Sequence, residues 1–258
     1  MIGASDFVVF AALAFVAAYV QTLTGFAFGL LLMGALALTG LIPLPEAAIV
    51  VSLLTLANAT VVLARGWQDI ATMPFLLSLA GALPMIVAGY GLLTFLAASS
   101  LSVLRLILGL AIIVSSLQLI RTPSPLAKQS DGPVFVLFGA LGGLMGGLFS
   151  TAGPPLVFQF YRQPLPYRVV RETLVAIFSL NSLFRLGLVV AHDDWQAHAL
   201  LWTSAGLPAV LVSTYLARRW PPALSPSTLR FVAFTLLLLS GISLVTPVVL
   251  GYVQPGME

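Results

Sequence analysis

GGLMGGLFSTAGPPLVFQF, residues 142–160, carries no charged side chain and cannot form one uninterrupted helix. The glycines at 142, 143, 146 and 147 permit close helix packing. Pro154 and Pro155 then remove two consecutive backbone donors and stop a helix arriving from the N-terminal side. The surrounding segment, 134–161, is apolar and bounded by Asp131 and Arg162. Irregular backbone deep in a bilayer is tolerated only beside protein or a water-filled cavity. The segment therefore reads as two half-length helices meeting at a break over 149–155, a hairpin that enters and leaves on one side.

Segment 7–39 poses the same problem, because its 33 residues lack a charge. As one straight helix it would measure about 50 Å, against a bilayer core of roughly 30 Å. Two full crossings would need roughly 40 residues. The polar run Gln21-Thr22-Leu23-Thr24-Gly25 lies near its middle. It reads as a second broken hairpin.

The composition agrees with a chain buried in lipid. Of 258 residues, 60% are hydrophobic and 7% charged, where soluble domains average about 25% charged. Eight acidic and eleven basic residues cannot cover a soluble surface, and so much hydrophobicity excludes disorder. The pI of about 9.6 rests on a net charge of +3. The bases are scattered, so nucleic acid is not an expected partner. No cysteine is present, which excludes disulfides and thiolate chemistry. The N-terminal MIGASD lacks the basic region of a signal peptide. Gaps between charges give six spanning helices at 47–64, 72–96, 103–120, 172–190, 197–216 and 228–250.

The chain also repeats itself. At an offset of 124 to 128 residues, Glu46 matches Glu172, Trp67-Gln68 matches Trp195-Gln196, the AGALP around Gly81 matches the AGLP around Gly206, and SVLR ending at Arg105 matches STLR ending at Arg230. The first repeat is 1–120 and the second 134–258, joined by the linker 121–133, RTPSPLAKQSDGP. If both hairpins fail to cross, Arg65, Arg121, Lys128, Arg162, Arg168, Arg171, Arg218, Arg219 and Arg230 fall on one side and Arg105 alone on the other. That division satisfies the positive-inside rule. The expected fold is an all-α polytopic membrane protein with two inverted repeats of four elements. Each repeat opens with a broken helical hairpin followed by three spanning helices, and both termini face outward.

Intramembrane polar groups are functional candidates by default. Asn181 and Arg185 share one helical face and offer an amide and a guanidinium fork to an anion. The competing reading has Arg185 snorkelling or pairing with Asp193 or Asp194. Asn58 lies in the equivalent helix of the first half. At the breaks, helix N-terminal amides, the hydroxyls of Thr22, Thr24, Ser150 and Thr151, and the amides of Gln21 and Gln159 would make a donor-rich, weakly charged pocket. Such a pocket, with the two breaks meeting near the midplane, suits a small oxyanion. Glu46 and Glu172 read as first-turn caps. His192 and His198 with Asp193 and Asp194 read as a solvated loop rather than a metal site. No catalytic motif is present, so no enzyme, metal or cofactor is expected.

The run GGLMGGLFSTAGPPLVFQF (142–160) resembles the glycine-rich signature opening the second half of the sulfite exporter TauE/SafE family. QTLTGFAFGLLLMG (21–34) is similar to that family's first signature. The resemblance covers essentially the whole chain. Ser150-Thr151-Ala152 and Pro154-Pro155 replace some glycines of the family's second break. The resemblance implies a secondary carrier of the bacterial inner membrane that moves sulfite, sulfoacetate or another sulfur-containing anion, coupled to the proton or the membrane potential. It places the substrate at the two signature runs, which adds Gly25, Phe26, Ala152 and Gly153 to the candidate residues. Export by alternating access is the expected activity, with lipids as surroundings and a homodimer as a possible assembly. Transport of another small anion, such as a carboxylate, and a membrane assembly factor without solute flux are the alternatives.

Overall fold

The computed structural model describes residues 3–64, 66–120, 126–220 and 226–253. Arg65 and Arg121, two of the charges used for orientation, lie outside them, as does the first part of the linker. The described residues form α1 (Ala4–Thr24), α2 (Phe28–Thr39), α3 (Leu44–Leu63), a short 3₁₀ turn (Trp67–Asp69), α4 (Thr72–Ser99), α5 (Leu101–Ile120), α6 (Gly132–Phe149), α7 (Gly153–Tyr161), α8 (Tyr167–Ala191), α9 (Ala199–Arg219) and α10 (Pro226–Val253). No strand occurs among them. Six helices, α1, α3, α4, α6, α8 and α9, are long and apolar enough to cross a membrane; α1 and α6 belong to the hairpins expected not to cross, and of the expected spans α5 and α10 the described apolar parts, Leu101–Leu117 and Phe234–Val249, are shorter.

Both expected breaks are present. The first is Gly25-Phe26-Ala27, with Gly25 at φ 81° and Ala27 at φ 85°. The second is Ser150-Thr151-Ala152, with Ser150 at φ 55°. A residue other than glycine in this left-handed region costs on the order of 1–3 kcal/mol, so Ala27 and Ser150 hold their shape only because the surroundings impose it.

The limbs are unequal, which corrects the half-length reading. Helix α1 has 21 residues against 12 in α2, and α6 has 18 against 9 in α7. Thr22 and Thr24 return their hydroxyls to the carbonyls of Ala18 and Val20, so α1 runs through its polar threonines instead of stopping before them. Helix α8 starts five residues earlier than the charge gap suggests, at Tyr167. Pro166 supplies an extended entry (φ −56°, ψ 141°), and Arg168 and Arg171 therefore ride on the helix.

Contacts define two ends of the bundle. Phe7 and Phe10 of α1 pack against Trp202 of α9, the first tilted and the second edge-on, at the end where Pro45 and Asp194 share a cavity. At the other end Tyr167 donates to the carbonyl of Leu23, Arg168 pairs with Asp69 at 2.7 Å, Arg218 donates to the carbonyls of Val61 and Val62, and Gln163 accepts from the amide of Ser130. The hairpin α1–α2 thus starts and finishes at the first, acidic end. The hairpin α6–α7 starts and finishes at the second, basic end. Helix α1 packs along α9 and α6 along α4, while α3 meets α8 and α5 meets α10.

The α4–α6 seam explains the glycines. A Cβ on Gly139, Gly143 or Gly147 would sit 2.1, 2.2 or 2.3 Å from the carbonyl oxygens of Ser78, Ala82 and Ile86. Gly81 and Gly89 of α4 face α6 equally closely. Backbone-to-backbone packing of this kind supplies helix association where no hydrophobic force acts between helices. Gly143→Leu is therefore expected to destabilise by ~3 kcal/mol or more. Gly187→Ala, where nothing lies within 4 Å, should be neutral or gain up to about 1 kcal/mol. Thermal unfolding in detergent measures both.

Candidate functional site

The two breaks approach each other through Gly29, while the tip of the first, Leu23 to Gly25, lies at the basic end against Tyr167 and Arg171. A Cβ on Gly29, in the first turn of α2, would lie 2.8 Å from the Thr151 Cβ and 3.1 Å from the Ser150 carbonyl oxygen. Gly153 at the start of α7 lies with its would-be Cβ 3.5 Å from Leu30. Ser150, held at positive φ, meets Ser52 of α3 with 2.6 Å between hydroxyl oxygens, and Ser52 also reaches the carbonyl of Ala48. Ala152 packs against Gly142 and Gly146. Pro154 and Pro155 have no N–H, so α7 presents few of the helix-end donors expected there.

The polar groups of the first half satisfy one another. The Gln21 amide donates to Asn58 Oδ1 at 3.2 Å, and its oxygen accepts the N–H of Phe28, the first residue of α2, at 3.0 Å. Asn58 Nδ2 donates to Thr22 Oγ1 at 3.2 Å and to Thr214 Oγ1 at 2.7 Å. Thr24 donates to backbone carbonyls only. Gly25 lies against Arg171, and Phe26 packs edge-on to Tyr161. The network leaves no buried side chain of the first break without a partner.

The equivalent region of the second half is different. Asn181 is buried near Gly146, and neither its amide nitrogen nor its oxygen has a hydrogen-bond partner. One turn further along α8, Arg185 is 1% exposed. Its Nε donates to the carbonyl of Gly147 at 3.1 Å, its guanidinium carbon lies 5.7 Å from the centre of the Tyr90 ring, and Nη1 has no partner. The ion pairs among the described residues are Arg168–Asp69 and Arg171–Glu172, so Arg185 has no carboxylate of its own. Nor does it snorkel. It lines a cavity of about 240 Å³ with Ile49, Tyr90, Thr94, Asp194 and Gln196. An uncompensated buried cation costs several kcal/mol, and a small anion in that cavity would relieve the cost.

Gln159 is buried near the basic end. Its Nε2 is unpartnered and its carbonyl accepts from Gln163, away from Arg185. Glu46 sits in the first turn of α3, as expected, where its charge faces the helix N-terminus without a capping hydrogen bond. Glu172 does not, because the early start of α8 at Tyr167 puts it in the second turn. Glu172 pairs with Arg171 instead, beneath Gly66. No group of three or more potential metal ligands occurs among the described residues. Asp194, read from the sequence as part of a solvated loop, accepts a hydrogen bond from the Tyr90 hydroxyl.

Tyr90, Ser52, Thr214 and Thr94 were invisible as site residues in the sequence. Tyr90 is the one ionisable side chain in the long apolar run 70–104, a signal that could have singled it out. Ser52, Thr214 and Thr94 are ordinary helical hydroxyls, and only tertiary packing distinguishes them.

The sequence profile of the family described as Sulfite exporter TauE/SafE matches residues 10–244. The chain is 37% identical over 235 residues to the probable sulfite/organosulfonate exporter TauE of Cupriavidus necator, covering 91% of this chain and 92% of that protein. No solved structure matches.

The contrast between the two asparagines is measurable. Asn58→Ala strands the amide of Gln21 and should cost about 1–3 kcal/mol. Asn181→Leu removes two unpartnered buried groups, so the fold should keep or gain stability in the same unfolding assay, while transport falls.

Proposed function

Because the chain belongs to the sulfite exporter TauE/SafE family, we propose that it is a secondary carrier exporting a small sulfur-containing anion, sulfite or an organosulfonate, by alternating access. That it is a multi-pass membrane transporter follows from the family and its apolar helices. The observation that carries the substrate reading is Arg185: fully buried, without a carboxylate partner, with one nitrogen unpartnered, and among the residues lining a cavity.

In this reading Arg185 takes the anion's charge and Asn181 supplies an amide to a further oxygen. The second break, Ser150, Thr151, Ala152 and Gly153, provides the polar wall opposite. The residues of the first break, Gln21, Thr22, Thr24, Gly25 and Phe26 with Asn58, hold the hairpin shut around it, and Gln159 lies toward the other exit. A guanidinium suits a tetrahedral or pyramidal oxyanion because its fork gives two parallel charge-assisted bonds.

The topological proposal is an inverted pair of repeats, 1–120 and 134–258, in a bacterial inner membrane. It is supported by the exchange of packing partners, α1 on α9 and α6 on α4, and by hairpins that open at opposite ends. The basic end, with Arg162, Arg168, Arg171 and Arg218, would face the cytoplasm. Both chain termini and the Arg185 cavity would face outward. A substrate with net negative charge leaving a cell with an inside-negative potential would gain about 2.3 kcal/mol per charge per 100 mV, and a net-neutral one would depend on proton coupling instead.

Transport of radiolabelled sulfite or an organosulfonate in proteoliposomes tests the substrate. Arg185→Gln should lower it by roughly ten- to a hundredfold, the loss of one or two charge-assisted hydrogen bonds. Arg185→Lys should restore it only in part, because an ammonium lacks the fork. Unchanged flux in both variants would remove the assignment. Because the chain has no native cysteine, single cysteines at the exposed positions 43 and 164 can be labelled cleanly. They should react from opposite sides of the membrane, and same-side labelling would defeat the inverted topology.

A further inference from the structure

The cavity that reaches Arg185 also holds a carboxylate. Asp194, in the loop after α8, lines it together with Tyr90, Thr94 and Gln196. The two opposite charges share a cavity of about 240 Å³ and do not pair with each other. Tyr90 stands between them. Its ring lies over the guanidinium carbon at 5.7 Å, and its hydroxyl donates to Asp194 Oδ2. Asp194 Oδ1 takes no part in that bond. The aromatic ring itself can accept a cation on its face.

Arg185 is buried, whereas Asp194 lies in the exposed loop at the rim of the same cavity. Tyr90 engages both groups and keeps them apart. Arg185 is left with Nη1 unpartnered. The cavity is also smaller than the roughly 300–1,000 Å³ of drug-sized ligand pockets. It fits a short molecule that carries both signs.

We propose that this cavity binds a short zwitterion, an ammonium group joined by a brief aliphatic spacer to a sulfonate or similar oxyanion. The oxyanion lies on Arg185 and the ammonium on Asp194 and the Tyr90 ring. This assignment rests on the reading of Arg185 as the anion's partner and narrows it, since Asp194 favours an amino-bearing anion over a plain one of the same size. A plain monoanion would place an apolar end beside the Asp194 carboxylate and gain nothing from that charge.

The probes are 2-aminoethanesulfonate and its near-isostere 1-propanesulfonate, which differ by an ammonium against a methyl group. Binding is read on purified full-length protein by titration and by the ligand-induced rise in unfolding temperature. The wild-type protein should bind the amino compound about fivefold or more tightly, as expected for one charge pair at a partly exposed site. Asp194→Asn should bring the two ligands within twofold of each other. Arg185→Gln should lose both.

Tyr90→Phe removes the same hydrogen bond from Asp194 but keeps both charges, so the preference should survive in it. If Tyr90→Phe abolishes the preference as fully as Asp194→Asn, the carboxylate is not the discriminating group and the assignment falls. Equal wild-type affinities that Asp194→Asn leaves equal would overturn the zwitterion site while the anion site at Arg185 stands. If wild-type protein binds neither compound and Arg185→Gln behaves identically, the anion reading itself fails.

Discussion

A helix that stops inside an apolar bundle exposes backbone groups that no solvent can satisfy, and this constraint organises the molecule. Each half inserts such an interruption, and each must be closed by side chains reaching in from other helices. In the first half, Gln21 folds back to take the N–H of Phe28, and Asn58 ties Gln21 and Thr22 to Thr214 of α9. In the second half, two prolines remove the donors outright, and Ser52 of α3 meets the strained Ser150. The glycine seam between α4 and α6 then fixes how far the second break reaches into the bundle, because backbone contact leaves no slack along that helix pair.

The halves share an architecture but divide the work. Near the first break every polar side chain is matched, and a matched network of this kind is rigid and weakly receptive to a ligand. Near the second, Asn181 and Arg185 carry unpartnered atoms, and Arg185 lines a cavity. Two halves of like sequence need not bind alike. One can act as the frame against which the other moves, and the clamp at the basic end, where Tyr167 grips the Leu23 carbonyl and Arg168 holds Asp69, fits a frame closed on that side.

Much of this was legible in the sequence, for identifiable reasons. Pro154-Pro155 and the run Gln21–Gly25 marked both breaks because helix chemistry forbids or disfavours continuation there. Nineteen charges in 258 residues marked the helix boundaries to within about five residues. The unequal limbs were not legible, since a buried threonine can either end a helix or bond back along it, and only the surrounding packing decides. The same ambiguity hid which polar residues are spent on structure. Thr22 and Thr24 looked like donors for a ligand, and their protons go to Ala18 and Val20. Arg185 was legible from its cost in the membrane, while its neighbour Tyr90 was hidden by an aromatic character ordinary in apolar helices.

A carrier must let go of what it binds, and the geometry around Arg185 bears on how. A guanidinium locked to a buried carboxylate would present no net charge to an anion, whereas a bare one would hold it too firmly. Tyr90 gives an intermediate arrangement. Its ring face partly compensates the cation through the ring quadrupole, and the Gly147 carbonyl takes one N–H. The remaining attraction is what an incoming anion can use. Gly147 belongs to the same α6 turn that ends in the second break, so a shift of that hairpin would alter the Arg185 hydrogen bond directly. In the proposed reading, binding strength at Arg185 is thereby tied to the position of the hairpin, the coupling that alternating access would require: a ligand can shift a conformational equilibrium only through its different affinity for the two states.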